Sequence, residues 1–117
     1  MTTRKTEELI SSWIEFQRTN DSKLHWTVMA FDDLTNNDPE EAWNAIKSIF
    51  EIAEHERDVI GMLAAGPLEG LLVQNGPSVF HTVSDYLKVN PGFKNCLEGV
   101  WLDKEDPIFE RIEALLK

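Results

Sequence analysis

Each of the five prolines in this chain follows a residue suited to cap a helix, and that pairing constrains the fold more than any other feature. The pairs are Asp38-Pro39, Gly66-Pro67, Gly76-Pro77, Asn90-Pro91 and Asp106-Pro107. Proline lacks an N–H and fixes φ near the helical value, so it fits the first helical position, where the N–H has no partner within the helix. Asp and Asn take the preceding cap conformation and receive a backbone N–H on a side-chain oxygen; Gly takes it less strongly. The pattern predicts five helix starts, each within two residues of its proline.

Apolar spacing supports this reading. After Pro39, the residues Ala42, Trp43, Ile46, Ile49, Phe50 and Ala53 recur with helical period, and Glu41 stands at the third helical position in the manner of a capping box. Val79, Phe80, Val83, Tyr86 and Leu87 follow Pro77. Phe93, Leu97, Val100 and Trp101 follow Pro91, with Gly99 ending the regular helix early. Ile108, Phe109, Ile112, Leu115 and Leu116 follow Pro107. Upstream, Leu9, Ile10, Trp13 and Ile14 define a first helix behind Thr6.

Two segments need separate treatment. In residues 23–34, "LHWTV" alternates like a strand, whereas Leu24, Val28 and Phe31 are spaced like a helix. No second strand candidate exists to pair with it, so a helix is expected, with Trp26 opposite Leu24. Trp26 is then partly exposed unless the helix is buried on two sides. In "GMLAAGPLEGLL", Ile60, Leu63, Ala64, Leu68, Leu71 and Leu72 stay in phase across Gly66-Pro67. The expectation there is a bend at which Gly66 leaves helical dihedrals and a new helix starts at Pro67, with Glu69 in its first turn.

The expected fold is therefore all-α, a single domain over residues 1–117. It holds about seven short helices packed as antiparallel hairpins or an orthogonal bundle. Its expected core is Trp43, Ile46, Phe50, Leu63, Leu68, Leu72, Phe80, Val83, Leu87 and Leu97. A hydrophobic content of 42%, with four Trp and six Phe, is sufficient to build that core.

Charge and motif content narrow the function. The net charge is −10, and residues 1–58 hold 13 acidic against 6 basic side chains. A field of that sign repels nucleic acid and anionic lipid and attracts a basic partner. No apolar run approaches the roughly 18 residues of a membrane span, and "MTTRKTEELI" has no signal-peptide core. Cys96 is the only cysteine, so no internal disulfide forms, and a cytoplasmic location is expected.

Catalytic patterns are missing from the sequence. There is no P-loop, dinucleotide fingerprint, G-x-S-x-G or C-x-x-C. His55 stands four after Glu51, and His81 four before Asp85, which places two ligand types on each helix face without an H-E-x-x-H element. Cys96 reads as a small buried hydrophobe. No catalytic residue, metal or cofactor is expected.

The informative group is acidic. Asp32, Asp33, Asp38, Glu40, Glu41, Glu51 and Glu54, with Glu56 and Asp58 beyond them, have only Lys47 and Arg57 against them. These carboxylates and Trp26 are the expected partner-binding surface, where charge steers and apolar anchors hold.

Three stretches carry a resemblance: "DPEEAWNAI" (residues 38–46), "LAAGPLEGLL" (63–72) and "FKNCLEGVW" (93–101). Through the motifs DPxxAWxxI, LAAGPLExLL and FxxxLxGVW, the chain resembles a family of small bacterial proteins of unknown function. The resemblance implies an all-helical domain and transfers no catalytic residue.

The leading expectation is a non-enzymatic, acidic, protein-binding protein, such as an immunity protein or inhibitor that neutralises a basic toxin or nuclease. The alternatives are a small helical metal-binding protein or enzyme using His55, His81 and nearby carboxylates, and an accessory subunit or self-associating scaffold.

Overall fold

The computed structural model describes residues 4–117, and every regular element among them is helical. The order is α1 (Arg4–Thr19), a 3₁₀ turn (Ser22–Leu24), α2 (Trp26–Asn37), α3 (Pro39–Ala53), α4 (Arg57–Leu63), a π-helical turn (Ala64–Leu68), α5 (Glu69–Val89), α6 (Phe93–Leu97) and α7 (Phe109–Leu116). The radius of gyration is 13.4 Å.

Central to the packing is α3, because its apolar stripe is the most regular. Ala42, Trp43, Ala45, Ile46, Ile49, Phe50 and Ala53 are all buried, and α1, α2, α4 and α5 pack around them. Its start is the one expected: Asp38 receives the Glu41 N–H on its side chain at 3.1 Å, and Pro39 occupies the first turn. Only half of a capping box forms, since the Asp38 N–H donates to Leu34 O at 2.7 Å. Asp106 likewise receives the Ile108 N–H at 3.0 Å before α7, and α6 begins two residues after Pro91. Asn90 does not cap; its amide donates back to Tyr86 O at 3.2 Å.

The first Gly-Pro pair departs from the sequence expectation, whereas a helix does resume at the second. The chain does not break at Gly66-Pro67, and no helix starts there. Residues 57–89 run on as one helical path, with the π turn enclosing Gly66 and Pro67. A π turn closes a wider ring than an α turn, so it absorbs the proline that would otherwise clash with the carbonyl of Leu63. Ile60, Leu63, Ala64, Leu68, Leu71 and Leu72 therefore remain buried on one side. No described glycine has positive φ, so Gly66 stays in helical space.

The second pair lies within α5, where the distortion falls one residue earlier, at Asn75 (φ −135°, ψ 21°). Asn75 is thus the residue at which the helix kinks and resumes. Its amide donates to Thr35 O at 3.4 Å, and Ser78 Oγ donates to Asn75 O at 2.9 Å.

The expected core holds with two corrections. Phe80 and Leu87 are half-buried at the edge; Phe80 carries the Arg111 guanidinium 4.0 Å above its ring, which shields it without enclosing it. Trp101 also departs from its stripe. α6 stops at Leu97, and the indole of Trp101 stands 84% exposed. The Trp101 backbone N–H donates to the Glu69 carboxylate at 2.9 Å, so Glu69 ties the segment after α6 to the start of α5.

Continuity through the π turn has a measurable consequence. Gly70 lies inside α5 with no atom within 4 Å of where a Cβ would stand, and Gly66 has the same open space. Gly70→Ala is expected to raise the unfolding free energy by about 0.5–1 kcal/mol, the usual gain for alanine over glycine in a helix interior. Urea denaturation checks this; a loss of stability would mean that α5 is not helical at Gly70.

Candidate functional site

The site is built on α2, which leaves three large apolar side chains on its outer face. The side chains that α2 buries are Thr27, Phe31 and Thr35, one helical turn apart. Each buried hydroxyl is satisfied locally: Thr27 Oγ1 donates to Leu24 O of the preceding 3₁₀ turn at 2.8 Å, and Thr35 Oγ1 to Phe31 O at 2.9 Å. With threonines turned inward, the apolar residues beside them face out. Trp26 is 45%, Val28 44% and Met29 70% exposed. The sequence placed Val28 on the buried stripe, which is corrected here: Thr27, with its locally satisfied hydroxyl, takes the inward position.

Asp32 and Asp33 follow directly and are exposed. They border a groove of about 580 Å³ between α2, the C-terminal half of α1 and the path through the π turn. Trp13 and Phe31 form its floor, packed edge to face with centroids 6.1 Å apart. Val28 and Met29 stand on one side, and Met62, Gly66 and Gly70 on the other. Met62 is half exposed. Among the described residues, Asp32 and Asp33 are the only charged ones lining this groove.

A second cleft, of about 570 Å³, lies on the other flank of α2, against α1 and the start of α3. Asp33 borders both, and here it meets Trp26, Asp38, Lys5 and Glu8. The structure thus brings Trp26, Asp32, Asp33 and Asp38 to one side of the molecule, with α2 as the ridge between two depressions.

The remaining expected site residues do not join them. Glu41 is corrected: it is buried, and its carboxylate receives the Thr6 hydroxyl at 3.1 Å, joining α1 to α3 instead of facing solvent. Glu40 is exposed at the start of α3, next to Asp38. Glu51 lies eleven residues further on, about 16 Å along the helix axis. There Glu51 receives the Tyr86 hydroxyl at 3.1 Å. This contact and burial push the Tyr86 phenol well above its ordinary pKa, burial contributing most. Glu54 is exposed beside Gly92, close to the same end of α3. Glu56 is bound by Arg18, whose Nε donates to it at 2.8 Å and holds its pKa below the usual carboxylate range. The acidic residues therefore form a cluster around α2 and a separate group near the C-terminal end of α3.

Met29 and Met62 went unnoticed in the sequence because each sits in a helix otherwise read by its larger apolar residues. The recurrence of Thr27, Phe31 and Thr35 was the signal that would have turned α2 the right way.

His55 and His81 are both exposed, and among the described residues no three His, Cys, Asp or Glu side chains converge to hold a metal ion. Cys96 is buried at the α6–α4 contact, with its thiol 3.9 Å from Ile60 O, and burial pushes its pKa up to about 12. A thiol-specific disulfide reagent at about pH 8 is therefore expected to leave Cys96 unmodified until the chain is unfolded. Rapid labelling of the native protein would show that α6 opens. Because the thiol pKa is raised from 9.0, its linkage to stability is complete below about pH 9. That contribution is lost as pH rises from there toward 12.

No helix among the described residues is long and apolar enough to cross a membrane. Comparison with known proteins gives one family model, described as a family of unknown function (DUF6869), which matches residues 15–117. No curated protein and no solved structure matches the chain.

Proposed function

The chain belongs to this family of unknown function, and we propose that it is a non-enzymatic protein that binds a basic protein partner across α2. The observation that carries the reading is the outer face of α2: Trp26, Val28 and Met29 stand outward while Thr27 and Thr35 are turned inward. Exposing three large apolar side chains while burying two threonines gives the folded monomer no packing benefit. It gives an interface apolar anchors, and methionine adapts its shape to what it meets. Asp32 and Asp33 stand beside these anchors, Asp38 lines the cleft that Trp26 borders, Glu40 follows it at the start of α3, and the whole chain carries −10. Charge of that sign speeds and orients the approach of a basic protein, while the apolar contacts determine how long it stays.

The most concrete form of this reading is an immunity protein or inhibitor that covers the positive cleft of a toxin or nuclease. A compact acidic body with an apolar ridge is suited to occupying a cleft built for phosphates. No observation favours a metal enzyme at His55 and His81 in the same way.

Paired baits test the reading in the native host. The wild-type chain, a Val28→Ser/Met29→Ser variant and an Asp32→Asn/Asp33→Asn variant are immobilised side by side. All four substituted side chains are exposed, so the fold is retained. A basic protein held by wild type and depleted on both variants is the expected result. A partner retained equally on all three baits would overturn the assignment to α2.

A further inference from the structure

We propose that the groove beside α2 takes an amphipathic, basic α-helix of the partner, laid along the wall formed by Gly66 and Gly70. The inference rests on the reading that the chain binds a basic protein, and it specifies the element that docks. Three observations carry it.

The first is charge. Asp32 and Asp33 are the only charged residues lining the groove among the described residues, and both are exposed. A second copy of this chain would bring two more aspartates and another −10 toward them, so self-association through this groove is opposed by like charge. Lysine or arginine on the occupant is complementary.

The second is backbone chemistry. The groove is walled by helices, and no strand exists among the described residues to offer a sheet edge. Its buried Thr35 hydroxyl already donates to Phe31 O. An extended peptide laid on Trp13 and Phe31 would desolvate a row of its own N–H and C=O groups, with only the side chains of Gln17, Asn20, Asp32 and Asp33 in the lining to pair with them. A helix satisfies those groups internally and presents side chains alone.

The third is space. Gly66 and Gly70 stand one turn apart on the same helical path, and neither has an atom within 4 Å of its missing Cβ. At these two positions the wall has no side chain, with the Pro67 ring between them, which allows close approach of another element. Met62 and Met29 stand on opposite sides of the groove, able to adjust around apolar side chains entering between them.

The test uses the full chain labelled with ¹³C at its methionine methyls, two of which (Met29 and Met62) report on the groove. The probes are a synthetic Leu/Lys amphipathic helix and its Leu/Glu counterpart. The Leu/Lys peptide is expected to shift both groove methyl resonances, and the Leu/Glu peptide neither. Gly70→Leu, which fills the groove while remaining a good helix residue, is expected to weaken Leu/Lys binding by about tenfold or more. Asp32→Asn/Asp33→Asn is a second variant that does not touch the wall and is expected to weaken the same titration. Silent methyl resonances, equal response to both peptides, or binding unchanged by Gly70→Leu would each overturn the helix-in-groove inference. Those outcomes leave the broader reading standing if the paired baits still distinguish the variants at α2; a partner held equally by all baits removes the broader reading itself.

Discussion

Phe93→Ala is expected to lower the unfolding free energy by about 3–5 kcal/mol, a large part of the 5–15 kcal/mol typical of a small domain. Phe93 is fully buried at the centre of an aromatic cluster. Its ring meets Phe50 at 5.0 Å, Tyr86 at 5.2 Å and Trp43 at 5.8 Å between centroids, all close to perpendicular. This edge-to-face geometry adds to the burial of each ring. The cluster joins α3, α5 and the short α6, and α6 has too few residues to be stable without it. Phe50→Ala should cost a similar amount, and the double variant less than the sum, because the two rings share one contact. Chemical denaturation measures all three. A loss below about 1 kcal/mol for Phe93→Ala would mean that α6 is not docked as described.

Gly76→Val is expected to destabilise by about 1–3 kcal/mol, through overpacking rather than loss of contact. A Cβ at Gly76 would lie 2.5 Å from Ile108 Cδ1 and 3.0 Å from Cγ1 and Cγ2. Ile108 is fully buried, so it has no free direction in which to retreat. The close approach seats the start of α7 against the kink in α5, and only glycine permits it. Ile108→Val removes the nearest atom and should recover part of the loss in the double variant. Equal stability of Gly76→Val and wild type would place α7 elsewhere. The contrast with Gly70→Ala separates two glycines that the sequence alone presents alike: one stands in open space, the other against a neighbour.

Legibility in the sequence followed how strongly each segment's side chains determine its packing. In α3 the periodic apolar residues outnumber any competitor, so its stripe, its Asp38 cap and its place at the centre could all be read. At Gly66-Pro67 the sequence contained the right facts, an in-phase stripe and a proline, but suggested the wrong resolution. A π turn reconciles them locally, and its wider ring leaves no mark in residue spacing. At Gly76-Pro77 the expected helix start is present as the resumption of α5 after the kink at Asn75, and Gly76 there leaves room for Ile108.

The candidate site was half legible for the same reason. The exposure of Trp26 and the acidity around it followed from helical geometry and charge. The outward turn of Val28 and Met29 did not, because threonine counts as polar until its hydroxyl is satisfied locally. Glu41 looked like its acidic neighbours, and only the tertiary approach of Thr6 takes it out of the surface. Asp32, Asp33, Asp38 and Glu40 are what remain of the expected surface near α2.

The most direct test is the association rate of the chain with the basic partner captured on it, followed by stopped flow. Rates are compared at about 0.01 M and about 0.15 M ionic strength, between which the screening length falls from about 30 Å to about 8 Å. The rate constant should fall by about tenfold or more across that range for wild type. In the Asp32→Asn/Asp33→Asn/Asp38→Asn/Glu40→Gln variant it should start lower and lose most of its salt dependence, with dissociation little changed. An association rate indifferent both to salt and to the four substitutions would contradict docking of a basic partner on this face.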